Sequence, residues 1–291
     1  MIPFSQALGS NKILIYDGGM GTQLDARGGV TGARSNFENP HIVRSVHTDY
    51  KAAGADIILS NTFSGNRIAL ERERMGDKLE EYDAVGVRLA RETAAGECYV
   101  AGDMGSAGAF MEPLGDYTEQ QFHDNFAEQA RVLAASGVDL IIIETMTDVR
   151  EAAVAVRAVK EATGLPVVAS IAFDPAAGSF RTMMGDTIEK AVVELTEAGA
   201  DAIGSNCGTV DPEEMSLIIA GMRGHTGLPL SAEPNAGKPE LSGGKVEFKL
   251  SPEGFADGMM KCIEAGATLV GGCCGTTPEH IAALVRRVRE H

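Results

Sequence analysis

The sequence contains no tryptophan and only five tyrosines, and no run of 18 apolar residues occurs in it. Without such a run, no membrane-spanning helix is predicted. The first residues, MIPFSQALGSNK, lack the basic segment and apolar stretch of a secretory signal. We therefore expect a cytoplasmic protein that does not enter a membrane.

Basic residues are also scarce. The 25 lysines and arginines stand against 41 aspartates and glutamates, which makes the formal net charge −16. No basic cluster reverses this charge locally, so repulsion disfavours the phosphates of nucleic acids and anionic membrane surfaces as partners. By contrast, 44% of the residues are hydrophobic and 35 are glycines, which is ample for a large core with many tight turns.

Cysteine is rare as well, with five in 291 residues. The number is odd, two of the cysteines are adjacent, and the chain is too long to need disulfide crosslinks. Metal binding or thiol chemistry is therefore a better interpretation than a disulfide framework.

Four segments repeat one pattern, in which a helix ends at a glycine and a short apolar strand follows. They are AAGADIILSNT at 52–62, ASGVDLIIIET at 135–145, EAGADAIGSNC at 197–207 and EAGATLVGGCC at 264–274. The glycine suits the left-handed conformation that closes a helix, and the apolar run suits a parallel strand buried on both faces. The residues seven positions after these glycines are polar or metal-binding: Asn61, Glu144, Asn206 and Cys273.

Four further strands are predicted between the repeats. They are KILIYD at 12–17, CYVAGD at 98–103, LPVVASIAF at 165–173 and LPLSAEP at 228–234. Helical patterns fill the intervals, for example the one that Asn39 and Pro40 begin. Eight strands alternating with helices predict an α/β fold, either a barrel or a doubly wound sheet. Because the first strand leads into DGGMGTQL, without the GxGxxG spacing of a dinucleotide site, we favour a single-domain (β/α)8 TIM barrel over residues 1–291.

Three of the cysteines, Cys207, Cys273 and Cys274, follow the sixth and eighth predicted strands. In TIM barrels the active site lies at the carboxyl ends of the strands, so these thiols should meet at one rim. Thiolate sulfur selects zinc over magnesium or calcium, and a catalytic zinc keeps three protein ligands and one exchangeable position. We therefore expect a Zn²⁺ site. Cys98 and Cys262 are predicted to be core residues.

These motifs resemble those of the homocysteine S-methyltransferase family. The resemblance rests on GGCCGTTPEH at 271–280 and GSNCG at 204–208, and it extends to DGGMGTQL at 17–24, NTF at 61–63, ET at 144–145 and EPNAGKP at 233–239. It is closest to the homocysteine-binding barrel of cobalamin-dependent methionine synthase. It implies that Cys207, Cys273 and Cys274 bind zinc and that homocysteine, activated as a zinc-bound thiolate, is methylated to methionine.

The amino acid substrate needs partners for its carboxylate and its ammonium group. The loop of Asp17, Gly18 and Gly19 is predicted to bind the carboxylate through backbone N–H groups, which agrees with the family resemblance. Glu144 follows an apolar run, and a buried carboxylate needs a cation; the substrate ammonium is one candidate and a structural arginine the other. Asp148 either assists at this site or begins the following helix.

Further polar residues lie near the predicted site. Asn235 resembles a position that supplies a neutral oxygen to zinc before the substrate arrives, although an asparagine in a turn usually shapes the turn. Glu233 and Asn61 are candidates for supporting the site from nearby positions. His280 falls on a predicted helix, and we interpret it as structural.

The family takes methyl groups from betaine, from S-methylmethionine or adenosylmethionine, or from methylcobalamin. Betaine is disfavoured because a quaternary ammonium group is bound best by an aromatic cage that includes tryptophan. Enzymes that use S-methylmethionine typically read GGCCRTT where this chain has Gly275. The prediction is therefore a methylcorrinoid. Since the sequence contains no DxHxxG corrinoid motif, a separate corrinoid protein is expected to carry it.

Other functions stay open at this point. One is a homocysteine methyltransferase that uses S-methylmethionine or another small onium donor. Another is a thiol redox protein using Cys273 and Cys274, although adjacent cysteines form only strained disulfides. The last is a non-catalytic metal-binding or interaction barrel. Metal content and turnover with homocysteine separate these possibilities.

Overall fold

The computed structural model describes residues 1–10, 12–243 and 245–290. Twelve strands occur in these residues. They are β1 (Leu14–Ile15), β2 (Ile57–Leu59), β3 (Tyr99–Met104), β4 (Leu140–Met146), β5 (Val167–Ile171), β6 (Asp174–Ala176), β7 (Ser179–Arg181), β8 (Ala202–Asn206), β9 (Leu230–Glu233), β10 (Glu240–Ser242), β11 (Lys245–Glu247) and β12 (Ala267–Val270).

Eight of these strands form one parallel sheet in the order β1-β12-β9-β8-β5-β4-β3-β2. Its two edge strands meet through a parallel bridge between Tyr16 and Ile57. Two backbone hydrogen bonds reinforce the closure, from Asp17 N to Ile57 O at 3.0 Å and from Asp56 N to Ile15 O at 2.7 Å. The sheet is therefore a barrel, which confirms the (β/α)8 prediction and excludes the doubly wound alternative.

Helices surround the barrel. They are α1 (Phe4–Leu8), α2 (Met20–Ala26), α3 (Ser35–Glu38), α4 (Pro40–Ala53), α5 (Arg67–Arg72), α6 (Leu79–Ala94), α7 (Glu119–Ala135), α8 (Val149–Thr163), α9 (Ile188–Glu197), α10 (Pro212–Arg223), α11 (Pro252–Glu264) and α12 (Pro278–Glu290). Eight of them pack side by side in a closed ring, in the order α4, α6, α7, α8, α9, α10, α11, α12 and back to α4. The predicted start of α4 at Pro40 is confirmed.

The glycine repeat has the backbone conformation that the sequence predicts. The φ angles of Gly54, Gly137, Gly199 and Gly266 are 101°, 92°, 95° and 112°. Three of the repeats also carry an aspartate two residues later, whose carboxylate accepts the N–H of a neighbouring strand; Asp139, for example, accepts Val100 N at 2.8 Å. The repeat therefore both ends a helix and aligns the next strand with its neighbour.

A short helix before the first strand was not predicted from the sequence. Helix α1 packs its buried Phe4 side chain with residues of the barrel interior. The Phe4 ring meets Tyr99 edge to face with centroids 5.3 Å apart, and the Tyr99 hydroxyl donates to Ile2 O at 2.8 Å. Because Tyr99 begins β3, this helix covers the amino-terminal end of the barrel and leaves the carboxyl end for a site.

Two antiparallel hairpins also extend the predicted pattern. Strands β6 and β7 follow β5, and strands β10 and β11 follow β9. Both hairpins lie in loops that leave the carboxyl ends of barrel strands, so they add to the rim at which TIM barrels carry their active sites. Over the described ranges, every helix is too short or too polar to span a bilayer.

Candidate metal centre and substrate cavity

The three cysteines singled out by the sequence meet at the carboxyl rim of the barrel. The Sγ atoms of Cys207, Cys273 and Cys274 lie within 4.8 Å of one another. Sulfurs that share a tetrahedral zinc at about 2.3 Å lie roughly 3.8 Å apart, so this spacing fits a shared metal after small rotamer adjustments. Cys98 and Cys262 are buried elsewhere in the core, as predicted.

Strand β9 lies between the two cysteine loops and aligns them. Cys207 N donates to Glu233 O at 3.2 Å, and Cys273 N donates to Pro234 O at 2.9 Å. Cys274 O in turn accepts Ala236 N at 3.0 Å. Both loops are therefore fixed to the end of the same strand by backbone hydrogen bonds, which places thiols that are 66 residues apart in sequence side by side.

The thiols also influence one another electrostatically. Hydrogen bonds from Cys207 and Cys273 lower the pKa of Cys274 to about 4. A cluster in which two thiols stabilise a neighbouring thiolate is already suited to a cation, because thiolate is the form that ligates metals.

Gly275 adopts a left-handed conformation directly after the cysteine pair, with φ of 77°. A Cβ atom at this position would overlap the Phe248 ring, which occupies the space beside it. An arginine here, as in GGCCRTT, would therefore meet both backbone strain and a steric clash. The cysteine loop is consequently built around a glycine.

We expect Gly275→Ala to lower the free energy of unfolding by roughly 2 kcal/mol, because it combines an unfavourable φ with the Phe248 overlap. Chemical denaturation of the metal-loaded protein measures this change. Gly21→Ala is the control, since an added Cβ at Gly21 meets no atom within 4 Å. Equal free energies of unfolding for the two variants would contradict the prediction that position 275 requires glycine.

A cavity of about 320 Å³ opens next to the cysteines. All three thiols, the Asp17–Gly18–Gly19 loop and Glu144 line it, so the structure brings these predicted residues together. Asn61 also lines the cavity, and its amide donates to Asn36 Oδ1 at 2.9 Å.

The glycine loop is packed against the cysteine loop. A Cβ at Gly19 would lie 2.6 Å from Cys273 O, so only glycine allows this approach. The Gly19 N–H already donates to Thr276 Oγ1 at 3.0 Å. Asp17 accepts Leu59 N at 3.1 Å, which joins the ends of β1 and β2. One of the two glycine N–H groups predicted to bind a carboxylate is therefore already bonded within the protein.

Four carboxyl groups converge on this cavity, and the sequence analysis assigned only part of this set. They belong to Asp17, Asp103, Glu144 and Glu233. Burial raises the pKa of all four groups, and that of Glu144 to about 7. None of the ion pairs between described side chains includes any of them. The cavity is thus acidic and suited to bind a cation. Glu144 has no structural arginine partner among the described residues.

Asn206 links Glu144 to the cysteine loops. Its amide group donates to the Glu144 carboxylate and to Thr145 Oγ1, the latter at 2.7 Å. Its carbonyl oxygen accepts Thr145 N at 2.8 Å and Ser170 Oγ at 2.8 Å. Asn206 directly precedes Cys207, so the orientation of Glu144 is tied to the strand end that carries a cysteine.

Asp148 is not brought to the cavity. It is the N-cap of α8, and its carboxylate accepts Arg150 N at 2.8 Å. Of the two roles that the sequence left open for Asp148, the geometry matches the start of the following helix. Because the Asp148 carboxylate already accepts a hydrogen bond from a backbone N–H at the helix start, it needs no substrate ligand.

Asn235 and His280 lie beside the cysteine loops. Asn235 is buried, its amide donates to Gly208 O at 2.8 Å, and its Oδ1 has no hydrogen-bond partner in the part of the chain that the structure describes. His280 lies on α12, and its ring nitrogens are 2.9 Å from Leu250 O and 2.9 Å from Thr277 Oγ1. The histidine ring is therefore used in local packing.

The residue that sequence reasoning missed is Asp103. It was included in the predicted strand CYVAGD but received no role. The signal was present, because a polar residue at the carboxyl end of a buried barrel strand faces the site. The same rule had already identified Glu144 on the neighbouring strand.

The fold and the site together define a TIM barrel with a three-cysteine cluster at its active-site rim, an arrangement suited to a thiolate-ligated metal. The chain belongs to the homocysteine S-methyltransferase family, whose model matches residues 14–288. This confirms the family resemblance inferred from the sequence motifs.

Individual relatives agree with this membership. The chain is 32% identical over 300 residues to methionine synthase of Mycobacterium tuberculosis, covering 96% of this chain and 25% of that protein. It therefore spans about a quarter of the length of that relative. It is 30% identical over 309 residues to homocysteine S-methyltransferase 4 of Zea mays, covering 95% and 89% of the two chains.

Solved structures show the same architecture. The metallated form of the homocysteine methyltransferase MmuM from Escherichia coli superposes with a TM-score of 0.78 at 26% identity, covering 98% of this chain and 99% of that one. Its apo form gives a TM-score of 0.75 at 27% identity, with the same coverage.

Proposed function

We propose that this barrel is a zinc-dependent methyltransferase that methylates homocysteine to methionine. The observation that carries the proposal is the placement of three thiols beside a cavity whose four buried carboxyl groups have no cationic partner among the described residues. A metal and an ammonium group are the two cations that such a site lacks, and zinc-bound homocysteine provides both.

Zinc fits the donor set. Cys207, Cys273 and Cys274 would hold it through sulfur, which zinc prefers to oxygen. The unpartnered Oδ1 of buried Asn235 supports a fourth, exchangeable oxygen ligand, since a buried acceptor without a hydrogen bond is otherwise costly. A zinc ion in this position would favour the thiolate form of a substrate thiol at neutral pH.

The cavity suits a small amino acid. Its volume of about 320 Å³ lies at the small end of ligand pockets. Glu144 would accept the substrate ammonium, while its own orientation is set by Asn206 and Thr145. The carboxylate would lie at the Asp17–Gly18–Gly19 loop, where Gly18 N–H would be the donor because that of Gly19 is bonded to Thr276. The homocysteine thiol would release its proton to water, and its sulfur would then form the bond to the methyl group while the donor keeps the electron pair of the bond that breaks.

A methylcorrinoid is the donor that the site supports best. Phe63 is the only aromatic residue among the described cavity-lining residues, so no aromatic cage for betaine is assembled there. The loops that follow β3 and the β6–β7 hairpin expose large apolar side chains, among them Phe110, Leu114 and Met183. Exposed apolar side chains on one face are a common mark of protein interaction. They support the docking of a corrinoid-carrying protein at this rim.

A donor screen with homocysteine as acceptor tests this proposal. We expect methionine to form from a methylated corrinoid protein, and from free methylcobalamin only at high concentration, because docking is then not assisted by the rim. Betaine and S-methylmethionine should be poor donors. Methionine is quantified by mass spectrometry, and zinc-stripped protein is the control.

Two outcomes of the screen would change the assignment. Rapid turnover with S-methylmethionine and none with any methylcorrinoid would replace the donor with a small onium compound. Absence of turnover with every donor, in protein that binds zinc, would favour a non-catalytic metal-binding or interaction barrel. A cytoplasmic location stays a prediction in either case.

A further inference from the structure

Asp103 has a fixed position in the lining of the cavity. It is the penultimate residue of β3 and its side chain lines the cavity, with only 7% of the residue exposed. Its backbone N–H donates to Ser60 Oγ at 3.3 Å, and its carbonyl oxygen accepts Thr62 Oγ1 at 2.8 Å. The strand end is therefore immobilised from the β2 side, and the carboxyl group projects from a rigid base.

Asp103 and Glu144 line the same cavity from the ends of the adjacent parallel strands β3 and β4, and their interaction acts to raise the pKa of Asp103 and to lower that of Glu144. Two carboxylates this close cannot both be ionised away from water, because like charges repel strongly at low dielectric constant. If both groups were ionised, Asp103 Oδ1 would have no hydrogen-bond partner among the described residues. One proton on either carboxyl group removes the repulsion and allows a hydrogen bond between the two groups.

The surrounding donors indicate which group holds the proton. Asp17 accepts Leu59 N, Glu233 accepts Ser231 Oγ at 3.0 Å, and Glu144 accepts both Thr145 Oγ1 and the Asn206 amide. Asp103 is the only one of the four cavity carboxyl groups that accepts no hydrogen bond from a described side chain or backbone N–H. Donated hydrogen bonds stabilise an ionised carboxylate, so Glu144 is the better anion and Asp103 the better acid.

We propose that Asp103 is a positioning residue whose neutral carboxyl group donates a hydrogen bond to ionised Glu144 and holds it in place for the substrate ammonium. The inference rests on the proposed function, because it assigns the ammonium of homocysteine to Glu144. It predicts that position 103 needs a hydrogen-bond donor and not a negative charge.

Two variants separate these requirements. Asp103→Asn keeps the size of the side chain and supplies an amide donor, whereas Asp103→Ala removes the donor. Calorimetry on the zinc-loaded proteins measures the affinity for homocysteine and for 4-sulfanylbutanoate, which is homocysteine without its amino group. Zinc content is measured in each preparation, so that damage to the metal centre is detected separately.

We expect Asp103→Ala to weaken homocysteine binding by about tenfold, the typical size of one charge-assisted hydrogen bond. Binding of 4-sulfanylbutanoate should be unchanged, because it presents no ammonium to Glu144. Asp103→Asn should bind homocysteine within about twofold of the unaltered protein.

Other results would overturn the inference. Equal losses of Asp103→Asn and Asp103→Ala would mean that a charge is needed at position 103. Equal weakening of both thiols in Asp103→Ala would indicate a general structural role. Failure of the unaltered, zinc-loaded protein to bind homocysteine would overturn the proposed function itself, and this result is distinct from an effect confined to the variants.

Discussion

Cys273→Ser should bind zinc more than about a hundredfold more weakly than the unaltered protein and lose methyl transfer with it. Substitutions of groups that merely support a ligand already cost 10- to 100-fold in metal affinity, and here a proposed ligand itself is removed. Two sulfurs and a weakly basic hydroxyl would remain. Cys207→Ala should behave in the same way. Metal analysis after purification in reducing buffer, with one zinc per chain expected in the unaltered protein, checks both.

The control for this experiment is Cys262→Ser, because Cys262 is buried on α11 away from the cavity. It should retain its zinc. The barrel of the Cys273 variant should stay folded, since the cysteines lie at the rim and the core is formed by strands and helices. Full zinc retention in both Cys207→Ala and Cys273→Ser would disprove the ligand assignment, whatever the activity.

Glu144→Gln should weaken homocysteine binding by roughly 1.5 to 3 kcal/mol, or about 10- to 150-fold, and leave zinc bound. The glutamine side chain has nearly the same shape but carries no charge for the ammonium. No described cation competes for Glu144, so the loss should appear in substrate affinity. Calorimetry with homocysteine measures the change.

Glu151→Gln is the matched control. Glu151 is also buried, burial raises its pKa to about 7, and it accepts Ala107 N at 2.7 Å, but it does not line the cavity. Its replacement should leave homocysteine affinity unchanged. If Glu144→Gln binds homocysteine as tightly as the unaltered protein, Glu144 is structural and the ammonium lies elsewhere.

The barrel could be predicted because its signals are local. Each of the four glycine repeats encodes a helix end and a buried strand within eleven residues, and the structure has strands at all four. The residues seven positions after the glycines also meet at one site. Asn61, Glu144 and Cys273 line the cavity, and the Asn206 amide donates a hydrogen bond to Glu144. The hairpins and α1 were missed because short elements carry little periodicity.

The substrate site was predictable only in outline. Asp148 was a candidate for the site, yet the chain path turns its carboxylate onto the first turn of α8. Gly19 was a candidate donor, yet its N–H is bonded to Thr276, which lies 257 residues further along the chain. Asp103 had no assignment from the sequence, and only the fold places it in one cavity with Glu144. Each of these outcomes depends on a partner that no local pattern identifies.

The sequence by itself determined the (β/α)8 architecture and the meeting of three thiols at one rim, because strand and helix patterns and the chemistry of thiols are properties of the residues themselves. Only the tertiary structure decided which carboxyl groups share the cavity, which of them lack a cation, and which backbone N–H groups are still free. These properties depend on burial and on contacts between residues far apart in the chain. A glutamate next to an arginine and a glutamate buried without a cation have the same letter in the sequence, but their pKa values and their functions differ.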